Sequence, residues 1–190
     1  MATPTLPRAA DTPRLSPAEL ERRAAAIRLV LTDNDGVLTD AGVYYSARGE
    51  EMKRFSIRDG MGVERLRDAG IETAIITGEA SGSVERRSEK LKLPGLFLGI
   101  KDKAAHLDAV LAQMAVSIAQ IAFIGDDVND LGVLARVGAE GLTGAPADAM
   151  LEVARKAHLV THARGGHGAF REFAEWILAL RAPSSKNPEA

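Results

Sequence analysis

The chain has no cysteine among its 190 residues. That excludes disulfides and thiolate metal sites, and it fits a cytoplasmic protein. No apolar run approaches the ~18 residues of a membrane span. The opening stretch, MATPTLPRAADTPRL, lacks the apolar core of a secretory signal. A surplus of charge is also missing. Lys and Arg number 24 against 26 Asp and Glu, and the net charge of −2 gives no electrostatic case for nucleic acid or an anionic membrane. No internal repeat is visible. What remains is an ordinary globular composition, 46% hydrophobic and 26% charged, in a chain of one-domain length with enough residues for a sizeable core.

The ends are set apart by composition. Residues 1–15 are rich in Pro, Thr and Ala and read as a disordered tail, and 182–190 read as a polar tail. Between them, 16–181 read as a single domain. Ser16, Pro17 and Glu19 are a helix start, with Ser at the N-cap and Pro at the first helical position. Apolar runs at 27–31, 71–76 and 121–124 read as buried strands. Shorter strands are predicted at 96–98, 141–143 and 158–161. Helices are predicted at 61–69, 83–91, 102–114, 131–136 and 168–181. In the 102–114 helix Ala105, Leu107, Val110, Leu111 and Met114 are expected to face inward. Residues 43–45 and 52–57 read as the two strands of a hairpin turning at 46–50. The alternation of strand and helix argues for a parallel sheet covered on both faces.

The three long apolar runs end in polar signatures: Asp33-x-Asp35, Thr77-Gly78 and Gly125-Asp126-Asp127. A lysine, Lys103, opens the following helix. In a parallel sheet these ends lie along one edge, where ligands bind in open α/β folds. Delivering Asp33 and Asp35 to the end of a buried strand is costly unless their charges are used. A calcium loop fails on spacing, because it needs an oxygen ligand at the fifth position and Gly at the sixth; here Val37 is fifth and Gly36 fourth. Each signature alone also fits a plain strand end, a solvated lysine or a helix cap. Together, in this order, they point to one site.

Asp33, Asp35 and Val37 after an apolar strand, with Thr77-Gly78, Lys103 and Asp126-Asp127 behind them, resemble the four motifs of the haloacid dehalogenase-like (HAD) phosphatases. The resemblance runs through residues 27–175. It implies a three-layer Rossmannoid α/β sandwich around a central parallel sheet, with a small hairpin insertion at 41–57 where relatives can carry a cap domain. It further implies a Mg²⁺-dependent phosphatase. Asp33 is the expected nucleophile, forming an aspartyl-phosphate. Asp35 is expected to protonate the leaving oxygen and then activate water. Asp33, the backbone carbonyl of Asp35, and Asp126 are the expected metal ligands. Thr77, Gly78 and Lys103 are expected to hold phosphate, Lys103 as a mobile cation. Asp127 is expected to orient Lys103, and Asp130 to support it.

Gly49-Glu50-Glu51, Ile57-Arg58-Asp59-Gly60 and the run from Gly165 through His167 to Arg171 are similar to the branch acting on phosphates of 3-deoxy-2-ulosonic acids. Its members are the 3-deoxy-octulosonate (KDO) 8-phosphate phosphatases and their nine-carbon relatives. In that group hairpins join the subunits of a tetramer and a neighbour's C-terminal segment helps cover the site. The octulosonate pattern usually has Arg where this chain has Glu79 and His167. Glu79 with Lys90 is similar to the nine-carbon 9-phosphate phosphatases, so a nonulosonate is expected ahead of KDO 8-phosphate. Arg58, Glu79, Lys90 and His167 are the expected specificity residues. Two other classes remain open on the sequence. One is a non-catalytic oligomerisation module like those fused to sugar-acid cytidylyltransferases. The other is a phosphate-accepting receiver.

Overall fold

The computed structural model describes residues 15–182; the expected tails at 1–14 and 183–190 lie outside them. The chain builds β1 (Leu29–Thr32), β2 (Tyr44–Ser46), β3 (Gly49–Met52), β4 (Glu72–Ile76), β5 (Gly95–Phe97), β6 (Ile121–Ile124), β7 (Leu142–Ala145) and β8 (Leu159–Val160). Its helices are α1 (Pro17–Ala26), α2 (Ile57–Asp68), α3 (Gly82–Leu91), α4 (Lys103–Gln113), α5 (Leu131–Glu140), α6 (Leu151–Ala154) and α7 (Ala169–Arg181).

Six strands form one sheet in the order β5-β4-β1-β6-β7-β8, every pair parallel. β1 is central and wholly buried, which is why its sequence is almost unbroken apolar. Alternate residues serve opposite faces. Val30, Ile75 and Ala122 meet Val63, Leu66, Val84, Phe170, Phe173 and Ile177 of α2, α3 and α7 on one side. Leu31, Ile76 and Phe123 meet Leu107, Val110, Val133 and Val137 of α4 and α5 on the other. This is the three-layer α/β sandwich expected. After β5 the chain crosses back over β1 to β6, so the strand order reverses beside β1 and opens a crevice at the carboxyl ends. Among the described residues no helix is long and apolar enough to cross a membrane.

The hairpin is present, but its second strand lies earlier than predicted. Ser46 pairs with Gly49, so the turn takes only Ala47 and Arg48, and Gly49 supplies the left-handed conformation at φ 108°. Strand pairing ends at Met52. Residues 57–60 are then the first turn of α2, because the Ser56 hydroxyl caps the Arg58 and Asp59 amides. In α4 the buried residues are Lys103, Leu107 and Val110, one stripe at helical spacing. Ala105 sits off that stripe and is exposed, contrary to expectation. The one-turn helix α6 was not anticipated.

Candidate active site

β1 ends at Thr32 and the chain bends into the crevice with Asp33. Its Oδ1 accepts the Asn34 backbone N–H at 2.7 Å, and its Oδ2 lies 2.8 Å from the Lys103 ammonium. Lys103 enters from the first turn of α4 with its side chain fully buried. The other group it meets is Asp130, 2.7 Å from its Nζ and equally buried. The second oxygen of Asp130 accepts the backbone N–H groups of Asp126 and Asp127 at 3.0 and 3.4 Å. One carboxylate therefore fixes both the cation and the turn after β6. Burial works against the charge on Lys103, but Asp33 and Asp130 more than offset it and its pKa is raised.

Two expectations are corrected here. Lys103 is clamped rather than mobile. Its orienting carboxylate is Asp130, not Asp127; Asp127 is exposed and accepts the Val128 N–H at 2.6 Å. The reason is the turn: three residues beyond Asp127, Asp130 folds back under its own loop into the core.

Asp126 reaches the crevice beside Asp33. Carboxylate oxygens of Asp33, Asp126 and Asp130 lie within 4.8 Å of one another. Burial first, and then the charges of Asp33, Asp130 and Asp127, push Asp126 up to about 8. Burial and the Asp130 charge push Asp33 up to about 7, against the pull of Lys103. The buried Oδ1 of Asp126 has no hydrogen-bond partner. Clustered, desolvated carboxylates and an orphaned oxygen leave room for a hard cation. Asp130 is wholly buried on Lys103 and two amides, so the side chains that would hold the cation are Asp126 and Asp33, the latter through lone pairs left beyond its bonds to Asn34 and Lys103. Gly36, at φ 85°, keeps the ground clear, because a Cβ there would overlap the Asp126 carboxylate.

Asp35 turns away from this cluster. Lys53 Nζ lies 2.7 Å from both its oxygens, and Asn34 Nδ2 and Thr39 Oγ1 donate to Oδ1 at 3.0 and 3.3 Å. Asp35 could reach the metal only through its backbone carbonyl, as the resemblance implies. Thr77 is buried at the end of β4, and its hydroxyl accepts the Glu79 N–H at 3.3 Å. Gly78 is half-buried beside it.

Among the described residues no hydrogen bond or ion pair joins the four expected specificity residues to one another. Glu79 pairs with Lys101 at 2.8 Å, and among the described residues no ion pair links it to Lys90. Lys90 and Arg58 are exposed on α3 and α2. His167 is exposed, its Nδ1 lying 3.3 Å from Arg54 Nη2. The loop carrying His167 packs on the first motif: Gly166 N–H donates to Val37 O at 2.9 Å, and a Cβ at Gly165 would overlap Gly36 O. Lys53, Asn34, Arg54 and Lys101 were not singled out from the sequence. Asn34 alone carried a signal, standing between two catalytic-type aspartates.

A parallel sheet whose switch point presents this carboxylate pair, a buried lysine and a Thr-Gly strand end is that of a HAD-type phosphatase, a hydrolase of phosphoric monoesters. No family model matches the chain. Individual relatives do. The 3-deoxy-D-manno-octulosonate 8-phosphate phosphatase of Yersinia pestis is 42% identical over 157 residues, 83% of this chain and 82% of that one. That of Haemophilus influenzae is 39% identical over 166 residues, 87% of this chain and 91% of the other. The crystal structure of the Moraxella catarrhalis enzyme with magnesium, phosphate and KDO superimposes with a TM-score of 0.79 at 32% identity, covering 86% of this chain and 92% of that one. This chain belongs to the 3-deoxy-D-manno-octulosonate 8-phosphate phosphatase family.

Proposed function

We propose that this protein hydrolyses KDO 8-phosphate with Mg²⁺ held by Asp33, Asp126 and the Asp35 carbonyl. The observation that carries the substrate is its 42% identity, across four fifths of its length, to a phosphatase named for that compound. The expected preference for a nine-carbon acid rested on Glu79 and Lys90. Lys101 neutralises Glu79 where that residue was to read the sugar, and the relatives are named for the eight-carbon acid.

The proposed steps use the residues gathered at the strand ends. An Asp33 carboxylate oxygen attacks phosphorus while the ester P–O bond breaks; Asp35, as the acid, gives its proton to the departing sugar oxygen. Lys103 and the Thr77-Gly78 strand end face the transferring phosphoryl group and balance its charge. Asp35, now a carboxylate, takes a proton from water. The resulting hydroxide attacks phosphorus, and the P–O bond to Asp33 breaks, returning phosphate and both aspartates. Mg²⁺, which Asp33 and Asp126 would hold, would supply positive charge to offset the clustered carboxylates and the phosphate dianion.

The working form is a homo-oligomer, most simply a tetramer. Tyr44, Tyr45 and Met52 on the hairpin are 61%, 71% and 57% exposed, with Ile57 beside them at 86%. A lone two-stranded hairpin with such a face is marginal until something covers it. A fully active monomer in light scattering would contradict this. The substrate is tested by phosphate release across a panel of sugar acid phosphates. KDO 8-phosphate should show the highest kcat/KM, and a nine-carbon 9-phosphate turned over faster would overturn the assignment.

A further inference from the structure

Lys53 is a buried cation that no motif predicts. It follows β3 at the exit of the hairpin, and its side chain is 1% exposed. Its ammonium donates to the two oxygens of Asp35 at 2.7 Å each, and Glu50 Oε2 stands 3.8 Å away as an ion-pair partner. Glu50 is held in turn by the Ser81 hydroxyl, and Ser81 is the N-cap of α3 just beyond the Thr77-Gly78 strand end. A polar chain thus runs from the first motif through the hairpin to the second.

The donors to Asp35 divide unequally. Asn34 and Thr39, near it in sequence, both bind Oδ1. Among the described residues only Lys53 donates to Oδ2. Those two bonds fall on one oxygen at 3.0 and 3.3 Å, so they hold the carboxylate plane only loosely. A bridge across both oxygens fixes its plane. The contact is 18 residues distant in sequence, so the hairpin has to be seated for it to form.

We propose that Lys53 is a positioning residue, setting the plane of the Asp35 carboxylate so that its proton is aimed at the departing ester oxygen. The inference rests on the reading of Asp35 as the acid. It makes the hairpin part of the catalytic apparatus as well as a surface for assembly. Glu50, an ion-pair partner of Lys53 at 3.8 Å, contributes less.

Leaving groups separate this from a structural role. The sugar alkoxide needs a proton to depart, whereas p-nitrophenolate does not. Because kcat/KM reports events only through leaving-group departure, later hydrolysis of the phosphoenzyme does not obscure the comparison. The assay uses the full chain with Mg²⁺, KDO 8-phosphate and p-nitrophenyl phosphate. Lys53→Met should lower kcat/KM for the sugar phosphate about 100-fold, the scale of a misplaced general acid. It should lower that for the aryl phosphate less than about 5-fold, with inhibition by inorganic phosphate little changed. Glu50→Gln, a milder change, should show the same bias at roughly 3- to 10-fold, and stands in if Lys53→Met does not fold. Equal losses on both substrates, or no loss on the sugar phosphate, would overturn the proposal. Asp35→Asn is run beside them. A biased loss there with none in the Lys53 or Glu50 variant sinks this inference alone; no bias in Asp35→Asn sinks the acid assignment and this inference with it.

Discussion

Replacing Asp126 by Asn should abolish activity and yet stabilise the metal-free protein. The Asp126 carboxylate stands among Asp33, Asp130 and Asp127, with its Oδ1 unpartnered, and its pKa is pushed up to about 8. An unfolded aspartate titrates near 3.9. Between these values the folded chain holds more protons than the unfolded one, so stability falls as pH rises through that window. The shift corresponds to about 4 kcal/mol at pH 7, and about half survives for a half-buried group that solvent still reaches, leaving roughly 2 kcal/mol. Asn has no such charge to desolvate. In EDTA the variant should melt roughly 4–8 °C above the parent at pH 7, with the gap shrinking towards pH 4. In Mg²⁺ the order should reverse, because the parent gains binding energy that the variant lacks. Thermal melts at pH 4, 5.5 and 7, with and without metal, read all of this. A variant less stable than the parent in EDTA at pH 7 would show that the carboxylate cluster is not strained, and the argument for a cation there would fail.

Lys103→Met leaves Asp33 and Asp130 facing each other without their shared cation. It should cost about 3–5 kcal/mol of stability in denaturant titrations and lower kcat about 10²- to 10³-fold; losses under 1 kcal/mol with near-parental turnover would contradict the clamp. His158 is held neutral at about 4, by burial and then by the charge of Arg23, and its Nδ1 accepts the Thr143 N–H at 3.0 Å. Its folded pKa lies below the unfolded value of about 6.5, so it contributes stability above that pH that is lost as pH falls toward 4. His158→Asn keeps an acceptor without the titration and should flatten the melting-temperature slope between pH 6.5 and 4; an unchanged slope would count against it.

Much of the fold could be read because parallel strands buried on both faces leave apolar runs that helices rarely imitate. The runs ending at Thr32, Ile76 and Ile124 were found within a residue or two. The hairpin register slipped because Met52 through Ile57 has strand-like character, and the signal that overrides it is one hydroxyl, Ser56, capping α2. Of the site, the residues at strand ends were legible because topology gathers them whatever the loops do. The pairings were not. Lys103 with Asp130 and Lys53 with Asp35 join residues 27 and 18 positions apart. No local spacing records such contacts, and a buried lysine looks in sequence like a solvated one. Asp127 and Asp130 are indistinguishable in sequence for the same reason: acids three residues apart differ only in which of them the turn folds inward.

The proposed mechanism turns on Asp33 as the carrier of the phosphoryl group. It is tested most directly by mixing the protein with KDO 8-phosphate and Mg²⁺, quenching in acid within the first turnover, and mapping the phosphorylated peptide by mass spectrometry. A phosphoryl adduct on Asp33 should appear before free phosphate, and should be lost together with turnover in Asp33→Asn. An adduct on another residue, or an Asp33→Asn variant that still releases phosphate at the parental rate, would contradict it.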